Sequence, residues 1–181
     1  MIKSRIRKKI LKLREKNQLK NNKINFSLLI SILKKNYKKA FTVGGYFPVN
    51  HEISDLEILK ELIKRKIKVS LPVIGKKKDM NFYNWSFSEP LKINLYGIPE
   101  PINSKIIIPD VILVPLVAYD NKLFRIGYGG GFYDRYIAKV QKKNKLLTVG
   151  LAYSFQKINK VPANKYDKKL NIIMTEKNIL K

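Results

Sequence analysis

Ile2, Ile6, Ile10 and Leu13 recur at steps of four, four and three, which lays one apolar stripe along a first helix and leaves its other faces basic. A polar break over 21–25 separates this helix from a second, predicted over 27–39. Residues 42–47 read as a strand that Pro48 stops. Ser54-Asp55-Leu56-Glu57 has capping-box spacing, and Ile58, Leu59, Leu62 and Ile63 supply the core face of a third helix ending near Lys66. A strand over 69–73 follows. Helix alternating with strand predicts right-handed crossovers and a mostly parallel sheet.

The middle of the chain is less regular. Residues 80–85 read as an edge strand, and Tyr96-Gly97-Ile98-Pro99-Glu100-Pro101 as a stiff connection, because each proline restricts its predecessor. Residues 111–117 are apolar enough for a central strand whose end Pro115 marks. A loop over 118–124 leads into a glycine cluster, and a helix is expected over 133–142, a strand over 146–151 and a last short strand over 172–174. No repeat, low-complexity tract or linker divides the chain. The expectation is one three-layer α/β domain over residues 1–181, with its site at the carboxyl ends of the strands.

Composition narrows the classes. A length of 181 residues with 45% apolar content suits one well-buried domain. No apolar run approaches the roughly 18 residues of a membrane span, so no membrane partner is expected. Cysteine is absent, which removes disulfides, thiolate metal sites and a cysteine nucleophile, and favours a cytoplasmic protein. The single histidine, His51, excludes a multi-histidine metal site and reads as a polar loop residue. The basic segment 3–16 carries Glu15, lacks a small-residue cleavage site and is periodic, so it reads as part of the fold rather than a transit peptide. The net charge of +25 raises the question of nucleic acid, yet only six of the 38 basic residues are arginine and the lysines are spread from end to end. A solvated surface that steers anionic substrates fits that spread better than a nucleic-acid footprint.

Arg125-Ile126-Gly127-Tyr128-Gly129-Gly130-Gly131-Phe132-Tyr133-Asp134-Arg135 carries the most chemistry. Four glycines within five positions, entering a helix, make an anion-binding nest: glycine lets successive N–H groups turn inward, and the helix adds its free donors and positive dipole end. Asp134, in the first turn, either stabilises the dipole or holds Mg2+ between protein and phosphates. The pattern is not a Walker A loop, for no Gly-Lys-Ser/Thr follows, nor G-x-G-x-x-G, since Phe132 stands at the third glycine. Spacing alone stops at an anion or a nucleotide phosphate.

Together with Leu113-Val114-Pro115-Leu116-Val117-Ala118-Tyr119-Asp120, this loop resembles the signature of the 5-formyltetrahydrofolate cyclo-ligase (methenyltetrahydrofolate synthetase) family. Four further segments fall in that family's order: Lys3-Ser4-Arg5-Ile6-Arg7; Tyr46-Phe47-Pro48 with His51-Glu52-Ile53; Gly97-Ile98-Pro99-Glu100-Pro101; and Val149-Gly150-Leu151-Ala152-Tyr153-Ser154-Phe155-Gln156 followed by Pro162, Asp167 and Thr175-Glu176. The resemblance implies the sugar-phosphate isomerase/CoA-transferase architecture. It further implies an ATP- and Mg2+-dependent cyclisation of 5-formyltetrahydrofolate to 5,10-methenyltetrahydrofolate, through a phosphorylated formyl group. A monomer with no specific nucleic-acid partner is expected.

By the same resemblance, Lys3, Ser4, Arg5, Ile6 and Arg7 bind ATP, and Arg125, Ile126, Gly127, Tyr128, Gly129, Gly130, Gly131, Phe132 and Tyr133 wrap its phosphates, with Arg125 and Tyr133 the candidate catalytic groups. Lys3 and Arg7, four apart, share one helix face. Asp134 and Asp167 match the Mg2+ carboxylates. Phe47, Glu52 and the stretch from Tyr128 through Gly129, Gly130 and Gly131 to Phe132 match the folate site, where a carboxylate accepts hydrogen bonds from pterin N–H groups and a ring offers a stacking face. The chain departs from the family in its glycine loop, which has neutral Tyr128 and Gly130 where some members carry cations, and in Phe132, where tyrosine is frequent. It also lacks the threonine often found after the folate-binding glutamate. With no cation inside the loop, phosphate charge falls to Arg125, the first helix and Mg2+. Two rivals remain on the residues alone: a sugar-phosphate enzyme that uses no ATP, and a basic RNA-associated protein without catalysis.

Overall fold

Alternate residues of the apolar run Val111–Pro115 pack on opposite faces of a sheet: Val111 and Leu113 join one buried cluster, Ile112 and Val114 the other. A strand covered on both faces needs no polar alternation, which is why this segment reads as a continuous apolar stretch. The computed structural model describes residues 2–17, 23–37, 41–75, 79–102 and 105–181.

Among these residues the elements are α1 (Ile2–Lys16), α2 (Phe26–Asn36), β1 (Thr42–Gly44), α3 (Leu56–Lys64), β2 (Lys68–Ile74), β3 (Met80–Trp85), β4 (Leu91–Ile93), β5 (Pro99–Pro101), β6 (Ile106–Ile107), β7 (Val111–Pro115), β8 (Ala118–Tyr119), β9 (Arg125–Ile126), α4 (Phe132–Val140), β10 (Leu147–Leu151), β11 (Ile172–Met174) and β12 (Ile179–Leu180). The main sheet runs β12-β11-β10-β7-β1-β2-β3-β6. From β11 to β2 every pairing is parallel, and the pairings outside these strands are antiparallel. The sheet is therefore parallel where it is most buried, as the helix–strand alternation predicts.

Leu29, Ile32 and Leu33 of α2 and Ile58, Leu59 and Leu62 of α3 cover one face against Val43, Val69 and Leu113. Tyr136, Ile137 and Val140 of α4 cover the other against Phe82, Ile112 and Ile173. The layering is helix, sheet, helix. Helix α1 joins neither layer; its Ile10 packs on Val117, Ala118 and Ile126, beyond the end of β7.

Several expectations are corrected. Strand β3 is not an edge, because β6 pairs outside it through Phe82 opposite Ile107. The strand expected over 42–47 stops at Gly44, since Tyr46 turns its N–H to the Asp55 carboxylate at 2.9 Å. The capping box at Ser54 does not form: Asp55 is the helix N-cap, and its carboxylate is committed to Tyr46 rather than to α3. Helix α2 ends at Asn36, where Tyr37 turns extended as its C-cap, and residues 38–39 of the expected span lie outside the described residues. Ile2 belongs to the predicted stripe but is 69% exposed, whereas Arg14 is buried. The proline-rich connector is a strand as well as a stiff link, pairing β5 with β4.

Candidate active site

The site lies where β1, β7 and β10 end. A two-stranded ribbon, with Ala118 opposite Ile126 and Tyr119 opposite Arg125, carries the chain from β7 to the glycines. Asp120 ties its turn, accepting from the N–H groups of Lys122, Phe124 and Val161 at 2.9, 3.1 and 2.9 Å. Two glycines take left-handed angles that other residues resist: Gly129 at φ 109° and Gly131, the N-cap of α4, at φ 66°. A side chain on Gly129 would lie in ordinary contact with the Arg7 guanidinium at 3.5 Å, so there the angle is the constraint, while one on Gly131 would meet Arg135 Nη1 at 2.8 Å. Arg7 Nε donates to the Gly127 carbonyl at 2.6 Å, and Arg135 Nη1 to the Gly130 carbonyl at 2.9 Å. Arg7, on the first helix to which the sequence assigned phosphate charge, and Arg135 of α4 thus supply positive charge at the loop.

Arg125 instead lies beneath the loop. Its guanidinium is buried, donating from Nη2 to Asp134 Oδ1 at 3.0 Å and from Nη1 to the Lys168 carbonyl at 2.8 Å. Burial lowers its pKa, and Asp134, its contact partner, opposes that shift. Asp134 Oδ1 also accepts from the Lys168 N–H at 2.9 Å, which brings the segment bearing Asp167 up to the first turn of α4. Asp167 Oδ2 in turn accepts from Lys3 Nζ at 2.6 Å and from the Asn164 N–H at 2.6 Å. Burial pushes the Asp167 carboxyl up, but the bonds from Lys3 and Asn164 outweigh it and hold the group below its ordinary range. Residues 3, 125, 134 and 167, remote in sequence, meet at one corner.

That corner fits a divalent cation. Among the described residues the hydrogen bonds of Asp134 all go to Oδ1 and those of Asp167 all to Oδ2, so each carboxylate keeps an oxygen outside its bonding. Mg2+ takes one or two carboxylates and leaves its other positions to phosphate oxygens and water.

On the other side of the loop a polar cluster is buried. Glu52 Oε2 accepts from the Val49 N–H at 2.9 Å, while the Glu52 N–H closes the same turn on the Val49 carbonyl at 3.0 Å. Burial raises the Glu52 pKa to about 7, against the lowering effects of the Val49 N–H, Arg14 and Tyr128. Asp55 is pushed well above the usual carboxylate range, also by burial. The Tyr128 hydroxyl accepts from Arg14 Nη1 at 2.8 Å, and burial followed by the Glu52 charge raises its pKa to about 12. Among the described residues, Glu52 Oε1, Asp55 Oδ1 and the Tyr133 hydroxyl are buried with no hydrogen-bond partner. Buried acceptors left in this condition cost stability and are expected where a ligand completes the bonding.

Of the residues singled out in the sequence, the structure brings Arg7 to the loop, and Lys3, Asp134, Asp167 and Arg125 together at the corner beside it. Ser4 and Arg5 are exposed and form no hydrogen bond to the loop, while Ile6 packs against the cluster around Val117. Ile126, in the ribbon, is buried against Ile10 of α1. Phe47 is half-buried just after β1, five residues before Glu52. Phe132 makes an edge contact with Tyr96 at 5.7 Å between ring centroids, joining the β4–β5 hairpin to the loop. Sequence reasoning missed Arg14, Asp55 and Arg135. For Arg14 a signal existed: steps of four from Ile6 through Ile10 reach Arg14, not Leu13.

A mostly parallel α/β sheet with a glycine loop, clustered cations and two aspartates at the carboxyl ends of its strands has the chemistry to hold an anion, within the class of α/β enzymes. The comparisons narrow it. Residues 1–176 match the profile of the 5-formyltetrahydrofolate cyclo-ligase family. The 5-formyltetrahydrofolate cyclo-ligase of Haemophilus influenzae is 35% identical over 137 residues, covering 72% of this chain and 73% of that protein. That of Mycoplasma pneumoniae is 28% identical over 185 residues, covering 97% of this chain and 99% of its own. The solved structure of Aquifex aeolicus 5,10-methenyltetrahydrofolate synthetase superposes with a TM-score of 0.80 at 31% identity, over 100% of this chain and 93% of that one. The chain belongs to the 5-formyltetrahydrofolate cyclo-ligase family, and so is a ligase.

Proposed function

We propose that this protein cyclises 5-formyltetrahydrofolate to 5,10-methenyltetrahydrofolate, consuming ATP in the presence of Mg2+ and releasing ADP and phosphate. The substrate and product follow the names of the family and of its solved members. The observation that carries the reading is the 2.6 Å contact between Lys3 and Asp167, which joins the start of the chain to the corner holding Arg125 and Asp134 beside the glycine loop.

A formyl oxygen on N5 leaves poorly as hydroxide, and phosphorylation converts it into a good leaving group. The formyl oxygen attacks the γ-phosphorus as the bond to ADP breaks, and N5 shares its lone pair to give an iminium phosphate. N10 then adds to the formyl carbon and loses its proton, and the carbon–oxygen bond breaks with phosphate departing. The demands on the protein are positioning and charge neutralisation.

The loop N–H groups and the cations Lys3, Arg7 and Arg135 meet the phosphates. Asp134 and Asp167 hold Mg2+, which when bound neutralises phosphate charge. Arg125 fixes Asp134 in the first turn of α4, and Tyr133 lies close enough to feel its charge. Glu52 accepts from the pterin amino and ring N–H groups, Phe47 offers its ring, and the stretch from Tyr128 to Phe132 faces the folate, so one loop serves both substrates. The remaining proposals are a single domain acting as a monomer in a reducing, cytoplasmic setting, in keeping with the absence of cysteine.

The test is the absorbance of the methenyl product formed by purified protein. Product that requires enzyme, ATP and Mg2+ together supports the reading; folded protein giving none above a no-enzyme control refutes it.

A further inference from the structure

We infer that Arg14 is a positioning residue for the folate side of the site, clamping the Glu52 turn and the Tyr128 end of the glycine loop to the carboxyl end of β7. Arg14 is 1% exposed, on the last turn of α1. Nη2 donates to the Leu116 carbonyl, just past β7, at 2.7 Å. Nη1 is shared between the Tyr128 hydroxyl at 2.8 Å and the Asn50 carbonyl at 3.3 Å. Both segments held this way face the proposed folate site.

The Glu52 turn needs holding. Asn50 and His51, side by side, are left-handed at φ 49° and 56°, a conformation that costs a non-glycine residue about 1–2 kcal/mol. The Asn50 carbonyl that Arg14 bonds lies inside this strained pair. Burying a guanidinium is itself expensive, and Arg14 Nε has no partner among the described residues, so the residue is a poor stabiliser of the fold and a rigid, planar fork for three loops. Its charge also faces Glu52 and lowers the pKa that burial raises. The other groups facing Glu52 are Tyr128 from the loop, Asp55 before α3, Tyr46 after β1, Tyr133 from α4 and Tyr153 after β10.

This inference rests on the folate reading of Glu52 and Tyr128. Arg14→Met and Arg14→Lys are compared with the parent for KM of both substrates, for the pH dependence of folate affinity, and for amide exchange of the ligand-free protein. Arg14→Met is expected to raise the KM for 5-formyltetrahydrofolate about tenfold or more while leaving that for ATP within about twofold, a split that general loosening of the fold does not produce. It also moves the acid limb of folate binding to higher pH, since Glu52 loses a cation. Arg14→Lys keeps that limb in place but still raises the folate KM, because an ammonium cannot reproduce the fork. Combining Arg14→Lys with Tyr128→Phe is expected to cost little more than the worse single change, as the two groups act through one contact.

Equal rises in both KM values, an unmoved limb in Arg14→Met, or additive losses would overturn the assignment. If the parent protein neither binds nor converts the folate, the functional reading fails, and exchange in the ligand-free protein decides the clamp on its own. Faster exchange over 49–52 in the Arg14 variants upholds it, and unchanged exchange overturns it. Where Arg14→Met does not fold, Arg14→Lys gives the same readouts, with the limb expected to stay.

Discussion

Glu52→Gln is predicted to make the protein more stable and less active. The side chain is buried, one of its oxygens has no partner, and its pKa is raised from 4.5 to about 7, with burial the leading cause. Between those two values the folded state keeps a proton that the unfolded chain has released. The unfolded chain therefore binds fewer protons there, and the contribution of this group to stability falls as pH rises from about 4.5, levelling off above about 7. A shift of that size corresponds to roughly 3 kcal/mol once Glu52 is fully charged, at about 1.4 kcal/mol per pH unit. Asp55 is coupled to Glu52, so the figure belongs to the pair. Glutamine retains an oxygen for the Val49 N–H and carries no charge to bury. Chemical denaturation of parent and variant at pH 5, 7 and 8.5 is the assay. The variant gains under about 1 kcal/mol at pH 5 and up to about 3 kcal/mol at pH 8.5, because the penalty it removes begins where Glu52 ionises in the unfolded chain and is complete once it ionises in the folded one. A variant destabilised at pH 8.5, or a difference independent of pH, would refute the reasoning. Folate affinity in the parent should weaken as pH falls through about 7, where Glu52 becomes protonated and loses acceptor strength.

Asp134→Asn should abolish most turnover, and because it strips the countercharge from buried Arg125 it should also cost roughly 2 kcal/mol of stability in thermal melts, less than for a fully buried pair because Asp134 is partly exposed. Lys3→Ala with Arg7→Ala should raise the ATP requirement much more than the folate requirement in steady-state kinetics; an equal rise in both would argue against their role. Gly131→Ala should cost about 1–2 kcal/mol, from its left-handed φ of 66°, and should lower activity as the new methyl displaces Arg135 from the loop.

What could be read from the sequence followed physical scale. Val111–Pro115 was legible because a strand buried on both faces is a run of apolar residues ended by proline. The glycine loop was legible because three adjacent glycines are costly unless something approaches the backbone. Strand β3 was misplaced at an edge because β6 has only two residues and no period to detect. Asp55 was read as part of a capping box, since nothing local shows that Tyr46 will claim its carboxylate. The pairing of Lys3 with Asp167 spans 164 residues and has no local pattern; the family resemblance alone put both in one site. Arg14 stayed hidden because a cation on a basic helix looks solvated until the fold buries it.

The central claim is that the glycine loop holds the γ-phosphate of ATP against the formyl oxygen. It is tested most directly by 5-formyltetrahydrofolate labelled with oxygen-18 in the formyl group, followed by mass analysis of the released phosphate. One labelled oxygen per phosphate, formed in step with ADP and the methenyl product, is the predicted result. Unlabelled phosphate, with the heavy oxygen recovered in water, would contradict the account.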